Sequence, residues 1–360
     1  MTTPDPAILD DPALVEPSWL TAVLAAAGLP DGVEVVGIER EPVGTGQMAH
    51  NERFVLTYRD PARAVAAGAP PSLVGKFPSP SEESRAAGAA GGYRNEVRFY
   101  RELAPRLAVR TPRCWYAAVN DDSTSFTLLL EDLAPAVAGD QLAGATPDQV
   151  RAAAENLAGL HAPLWGADEL ADLGWLRSSL ADQTVEIVRL VVPLFCERYA
   201  DRMSDDARRV CETFAEHVDR WLDREPGPPT LVHGDYRLDN LLFGDADDPV
   251  VAVDWQTVAV ACGGRDLAYL VGTSLDPGPR RRHEAAVLDA YRRAMATLGV
   301  ELDAATVAHH HRHGSFQGPF ITMLGAIAVE RTPRGDDMFM AMLHRSCDQI
   351  LDLGALDLLR

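Results

Sequence analysis

LVHGDYRLDNLLF, residues 231–243, and VVAVDWQT, residues 250–257, decide how the rest of the chain is read. In the first stretch, Leu231 and Val232 run into His233, Gly234 and Asp235, and Asn240 leads into Leu241, Leu242 and Phe243. His233, Asp235, Arg237, Asp239 and Asn240 are thus clamped between two apolar runs, which a solvated loop does not require. The second stretch has the composition of a buried strand, and it ends on Asp254. A carboxylate there is costly without a partner. Asp254 therefore needs a cation, a metal or a hydrogen-bond network. Asn240 adds an uncharged oxygen. An Asp and an Asn of this kind hold Mg2+ while phosphate oxygens complete its shell, and Asp235 is left to handle a proton. Phosphoryl transfer needs that set: a base at the acceptor hydroxyl and metal ligands for the phosphates.

The surrounding chain has room for such a site. Its 360 residues, 47% hydrophobic and 24% charged, describe a soluble globular protein of one large or two moderate domains. A net charge of -20 repels phosphate backbones and argues against nucleic-acid binding, while it attracts cations. Solubility is the plainer reading of that charge. Cys114, Cys196, Cys211, Cys262 and Cys347 lie far apart without a C-x-x-C pair, which fits reduced thiols and a cytoplasmic location. The first residues carry neither a basic nor an apolar targeting segment, and no run has the length of a membrane span.

Residues 17–28, PSWLTAVLAAAG, read as a helix that Ser18 caps and Gly28 ends. VEVVGIEREPVGTG reads as a strand entering a glycine turn, and RFVLTY puts Phe54, Leu56 and Tyr58 on one strand face. Residues 60–71 read as a Pro/Gly/Ala loop, SLVGKF as a strand, and GGYRNEVRFYRELAPRL as a helix. SFTLLLEDL is a buried strand ending in acids. Beyond about residue 134, long Ala- and Leu-rich helical patterns dominate. One starts at the capping residue Thr146, one spans roughly 182–223, and the pattern is helical again over 282–357. The expectation is an α+β chain with a small mixed lobe over residues 1–133 and a larger helical lobe over 134–360, divided near residues 131–136.

His-x-Asp, four residues, Asn, and then Asp-Trp-Gln resemble the catalytic and metal-binding loops of the aminoglycoside phosphotransferase superfamily. HGDYRLDNLLF with DWQ is most similar to its ecdysteroid-kinase-like and choline-kinase-like branch. The resemblance spans roughly residues 35–355 and is most specific over 229–270. It implies a two-lobed protein-kinase-like fold, with a small antiparallel-sheet N-lobe and a helical C-lobe. It further implies an ATP- and Mg2+-dependent transfer of phosphate to a hydroxyl of a small molecule. Asp235 would be the base, Asn240 and Asp254 the metal ligands, and Asp266 in GGRDLAYL the brace of the catalytic loop. Val43-Gly44-Thr45-Gly46-Gln47 resembles the glycine-rich loop over the phosphates, although a third glycine is lacking and a Gly-x-Gly turn is by itself an ordinary hairpin. Lys76 and Glu96 follow in the order of the lysine–glutamate pair that positions phosphates; Glu82 and Glu83 are alternatives to Glu96. The run through Leu128, Leu130, Glu131, Asp132 and Leu133 resembles the hinge whose backbone binds adenine. GAPPSLVGKF is not a P-loop, because the glycine spacing is wrong and no Ser or Thr follows Lys76.

Several residues keep two readings. Arg237 suits equatorial phosphate oxygens or a salt bridge to Asp239. His233 holds the loop backbone rather than carrying a proton. VAHHHRHGSFQGPF sets His309 and His313 four apart, without the extra acid or Cys a metal would want. Together with Phe316, Phe320 and Met323, these residues either flank an acceptor cleft or pack within the helical lobe. Local Arg and His residues favour a neutral, moderately apolar acceptor over a cationic aminoglycoside. Two rival functions are a metal-dependent hydrolase using His233, Asp235 and Asp254, and a catalytically silent nucleotide-binding module. The hydrolase leaves Lys76 and Asn240 without a role, and the silent module predicts the loss of motif residues that are all present.

Overall fold

The computed structural model describes residues 6–44, 49–176, 183–245 and 249–360. They form a mixed α+β chain of two compact units. One unit comprises the described residues of Met1–Arg106, Thr111–Ala134 and Asp254–Thr257; the other comprises Leu107–Arg110, Pro135–Val253 and Val258–Arg360. The reading of two consecutive segments divides the chain after residue 133, whereas the packing interleaves them: Asp254–Thr257 returns to the first unit.

The first unit is built on an antiparallel sheet of β1 (Val35–Pro42), β2 (Ala49–Tyr58), β3 (Ser72–Pro78), β4 (Cys114–Val119) and β5 (Phe126–Glu131), in the order β1-β2-β3-β5-β4. Alternation makes β2 a strand: Phe54, Leu56 and Tyr58 are buried on one face. They join Leu20, Val23 and Leu24 of helix α1 (Pro17–Ala26), with Leu73, Phe77 and Leu129 from the sheet, in one core. Burying a Phe or Leu side chain of this kind stabilises by roughly 1.5–3 kcal/mol. Glu16, not Ser18, occupies the N-cap of α1, because Pro17 takes the first helical position, where its fixed φ and missing N–H suit the helix. Gly28, at φ 96°, supplies the left-handed residue past its end. Residues 60–71 hold a short helix, α2 (Pro61–Ala66), whose cap is the Asp60 side chain accepting from the Arg63 N–H.

The expected helix over 91–107 is segmented. After α3 (Glu82–Ala87), α4 (Tyr93–Arg98) widens into a π-type turn over Phe99–Leu103 and tightens over Ala104–Arg106. The turn sets the Phe99 ring flat on Trp255, with centroids 3.8 Å apart. That stack anchors Asp254–Thr257 in the first unit.

The second unit is mainly helical. α5 (Pro147–His161) opens on the Thr146–Gln149 capping box. The single helix expected over 182–223 is two, α6 (Thr184–Arg198) and α7 (Asp205–Asp223), and Ser204 caps the second through the Ala207 N–H. α8 (Gly264–Ser274), α9 (Pro277–Thr297), α10 (Ala304–Gly314), α11 (Gln317–Ala328) and α12 (Pro333–Asp352) complete it. Short strands carry the loops between them: β6 (Val137–Ala138), β8 (Leu241–Phe243) and β9 (Val250–Ala252) pair in one ribbon, β7 (Thr230–Val232) and β10 (Ala259–Ala261) in another. α8 and α10 meet backbone to backbone. A Cβ on Gly264 would lie 2.2 Å from the His310 carbonyl oxygen, and one on Gly314 would lie 2.0 Å from that of Gly264. Among the described residues no helix is long and apolar enough to cross a membrane.

Candidate functional site

The residues singled out from the sequence fall into two sets, one in each unit. In the first unit, Lys76 points from β3 and is buried. Its ammonium lies 2.7 Å and 2.9 Å from the two Glu96 carboxylate oxygens and 3.4 Å from Asp254 Oδ1. Glu82 and Glu83 are exposed in the first turn of α3, so Glu96 is the partner of Lys76. Burial works against the lysine charge, but Asp254 and Glu96 outweigh it and hold its pKa above the ordinary value. Burial pushes the Glu96 carboxyl up, against the pull of Lys76. One ammonium facing two carboxylates leaves an excess negative charge, which favours a cation nearby. Asp254 itself is at φ 64°, a left-handed backbone that Asp tolerates better than most residues, and its side chain is 43% exposed.

Other first-unit residues are placed without chemistry of their own. Gly44 has φ 73°, a conformation that favours glycine at the turn after β1; Gly46 lies outside the described residues. Glu131 ends β5, where its carboxylate accepts the Arg113 N–H at 2.9 Å. Leu133 is half-buried just beyond, after Asp132, whose carboxylate is held by Arg53 and Ser72.

The second unit holds the residues of the 231–243 stretch, and here the geometry is dense. Gly234, at φ 82°, turns the chain between His233 and Asp235. The His233 Nε2–H donates to the Val253 carbonyl at 3.0 Å, and Nδ1 accepts the Asp235 N–H at 3.3 Å. Both ring nitrogens of His233 therefore serve the backbone. Asp266, in the first turn of α8 and fully buried, accepts the His233 and Gly234 N–H groups at 2.6 Å and 3.0 Å. His161 Nε2 stands 3.5 Å from the same carboxylate, and its Nδ1 is 2.8 Å from the Tyr291 hydroxyl.

Asp235 is partly exposed, and donors grip it. Asn240 Nδ2 donates to both its carbonyl and its Oδ2 at 2.9 Å. Arg237 Nε donates to Oδ2 at 3.2 Å, and its Nη1 donates to Asp239 at 2.5 Å. The Tyr269 hydroxyl donates to Oδ1 at 2.9 Å. Arg237 is thus an ion-pair partner of both acids of its loop. Because the Asn240 amide nitrogen is spent on Asp235, its carbonyl oxygen is the atom left to serve as a ligand. An amide oxygen of this kind is a donor that hard cations such as Mg2+ accept.

Sequence reasoning missed three residues that hold this loop. The fully buried Gln141 accepts the Leu238 N–H at 2.9 Å through Oε1 and donates to the Thr273 carbonyl at 2.8 Å through Nε2. Gln317 donates to the Gly234 carbonyl at 2.9 Å. Tyr269 follows Asp266 at i+3, so it shares that face of α8; this spacing was the one available signal.

Apart from His309, which is exposed, the histidine-rich segment packs inside the second unit. His313 Nε2–H donates to the Trp221 carbonyl at 3.0 Å, His311 meets Glu284 at 2.9 Å, and His310 stacks on Trp165. Phe316 lies flat against Phe214, and Met323 and Phe320 join the same cluster around Trp221. Of the two readings kept for this segment, packing is therefore the one the geometry supports. Among the described residues no group of three or more His, Cys, Asp or Glu has metal-ligand geometry.

The family model described as the phosphotransferase enzyme family matches residues 47–298. Solved structures with a similar fold include the GDP complex of wild-type aminoglycoside 2'-phosphotransferase-IIIa. It is 15% identical, covers 93% of this chain and 100% of its own, and has a TM-score of 0.55. Ethanolamine kinase of Plasmodium vivax is 12% identical over 90% of this chain and 85% of its own, with a TM-score of 0.53. Choline kinase of Cryptosporidium parvum Iowa II is 10% identical over 88% and 91%, with a TM-score of 0.50. No curated protein matches the chain.

Proposed function

The chain belongs to the phosphotransferase enzyme family, and from that premise we propose that it moves the γ-phosphoryl group of ATP to a hydroxyl of a small molecule, with Asp235 as base. The observation that carries this reading is Asp235 itself, a partly exposed carboxylate fixed by donors from its own loop and from α8. In the proposed step the acceptor oxygen forms its bond to the γ-phosphorus as the bond to the bridging oxygen breaks. Asp235 takes the hydroxyl proton, and ADP leaves with the electron pair. Lys76, oriented by Glu96, binds nucleotide phosphate oxygens. The backbone at Gly44 would cover them, and the chain at Glu131 and Leu133 would receive adenine. Asn240 and Asp254 would hold Mg2+, which neutralises phosphate charge when bound. Arg237 pairs with Asp235 and Asp239 and offsets their mutual repulsion, and its remaining guanidinium edge favours phosphate oxygens. His233 and Asp266 hold the loop in shape.

Asp235→Asn tests the base. It preserves the shape of the residue and removes the proton acceptor, so turnover falls by about 10²- to 10⁴-fold while Mg-ATP still raises the melting temperature. ADP release, followed over kanamycin, a macrolide, sugars, choline and steroid-like alcohols, identifies the acceptor class at the same time. Turnover by Asp235→Asn equal to that of the unaltered chain removes Asp235 from the role. Lack of any Mg-ATP stabilisation of the unaltered chain defeats the nucleotide reading and reopens the hydrolase.

A further inference from the structure

An ionised carboxylate offers about four lone-pair positions. On Asp235, Oδ2 accepts from Asn240 and Arg237, and Oδ1 accepts from Tyr269. About one position then remains, and it lies on Oδ1, the oxygen that Tyr269 holds. The three donors are not equivalent. Asn240 and Arg237 belong to the same loop as Asp235 and move with it. Tyr269 comes from α8, which Asp266 ties to the loop backbone and which the Gly264–Gly314 backbone contact locks against α10. It is therefore the donor that references the carboxylate to the packed interior of the second unit.

The surroundings of Tyr269 suit that task. Its ring is fully buried and packs with Met338 and Met342, with Ile321 and Phe339 against them. Burial first, and the charge of Asp235 next, push its phenol well above the ordinary range, so it remains an O–H donor. The carboxylate torsion of an Asp is broad and roughly two-fold when nothing fixes it. A donor from outside the loop narrows it.

We propose that Tyr269 is a positioning residue for phosphoryl transfer: its hydroxyl sets the rotation of the Asp235 carboxylate, so that the open lone pair on Oδ1 meets the acceptor hydroxyl. The proposal rests on the reading of Asp235 as base. Tyr269→Phe keeps the ring and its packing and removes only the donor. Met342→Leu alters the packing around the ring and keeps the donor. Both variants, Asp235→Asn and the unaltered chain are compared by calorimetric titration with Mg-ATP, by melting temperature, and by ADP release. The acceptor is the panel alcohol with the fastest turnover, or water where none exceeds it. Tyr269→Phe is expected to lower kcat by about 10²-fold, the cost of a misplaced reacting group, with the Kd for Mg-ATP unchanged. Met342→Leu keeps the kcat of the unaltered chain. Undiminished kcat in Tyr269→Phe overturns the proposal. So does an equal loss in Met342→Leu, or a loss in Tyr269→Phe that follows weakened Mg-ATP binding. Undiminished turnover in Asp235→Asn instead defeats the base assignment on which the proposal rests.

Discussion

Replacing Asp266 with Asn probes how the catalytic loop is held. The side chain is fully buried and accepts two backbone N–H groups, from His233 at 2.6 Å and Gly234 at 3.0 Å. Hydrogen bonds to a charged acceptor contribute roughly 1.5–3 kcal/mol each. Asn has nearly the same shape, but one of its two terminal atoms is an NH2 group. Whichever way the amide faces, a donor meets a donor. One bond is lost, the N–H on that side is left buried and unsatisfied at a further cost of about 1–3 kcal/mol, and the other bond weakens to a neutral one. The sum is about 3–5 kcal/mol, a large part of the roughly 5–15 kcal/mol that stabilises an ordinary domain. With a slope near 3 kcal/mol per molar urea, the midpoint falls by about 1 M or more. Circular dichroism at the helical band reports it, because the second unit holds the long helices. Turnover should fall as well, since the same two N–H groups shape the turn at Gly234. A midpoint within about 0.2 M of the unaltered chain would refute the view that Asp266 is the brace.

Asn240→Ala and Asp254→Ala should each weaken Mg-ATP binding by calorimetry while binding of ATP without Mg2+ changes less; unchanged Mg-ATP affinity in both variants would remove them as metal ligands. Gly264→Ala drives a methyl group into the His310 carbonyl at the α8–α10 contact, and overpacking of this kind costs about 1–3 kcal/mol, so a urea midpoint equal to that of the unaltered chain would show that the contact yields. Burial, with the Arg265 charge second, depresses the His313 pKa from 6.5 to about 4. A histidine that resists protonation when folded stabilises above its unfolded pKa, and the stabilisation is lost as pH falls from 6.5 toward 4. The loss is up to ~3 kcal/mol, and His313→Gln should flatten the urea midpoint across that window.

What could be read from the chain was local. Alternation in RFVLTY placed Phe54, Leu56 and Tyr58 on one buried face, because a strand has a period of two. Thr146 marked the start of α5, where Gln149 completes a capping box. The polar residues of 231–243 were conspicuous because apolar runs enclose them. The fold followed from these signals and from the resemblance they support. The break between Arg198 and Asp205 was harder to see, since apolar helical patterning runs up to it from both sides and Ser204, a cap, is the local signal there. The apolar character of Phe316, Phe320 and Met323 fitted a cleft wall as well as a packed core, and the neighbours that decide, Phe214 and Trp221, lie about a hundred residues away in sequence.

The braces of the catalytic loop were illegible for a related reason. Gln141 is 97 residues from the Leu238 N–H it receives, Gln317 is 83 from the Gly234 carbonyl, and Tyr269 is 34 from Asp235. Each is an ordinary polar residue in an ordinary helical or loop context until folding brings the loop to it. The eight residues from His233 to Asn240 have neither a long helix nor a long strand to fix them. Their backbone groups must find partners elsewhere or remain buried without them. Asp266, Gln141, Gln317 and the Val253 N–H meet that need from four other segments. A motif of this kind declares its chemistry through the side chains it exposes. The precision of that chemistry depends on side chains elsewhere, and a substitution at Gln141 or Gln317 should loosen the loop without touching any residue of the motif.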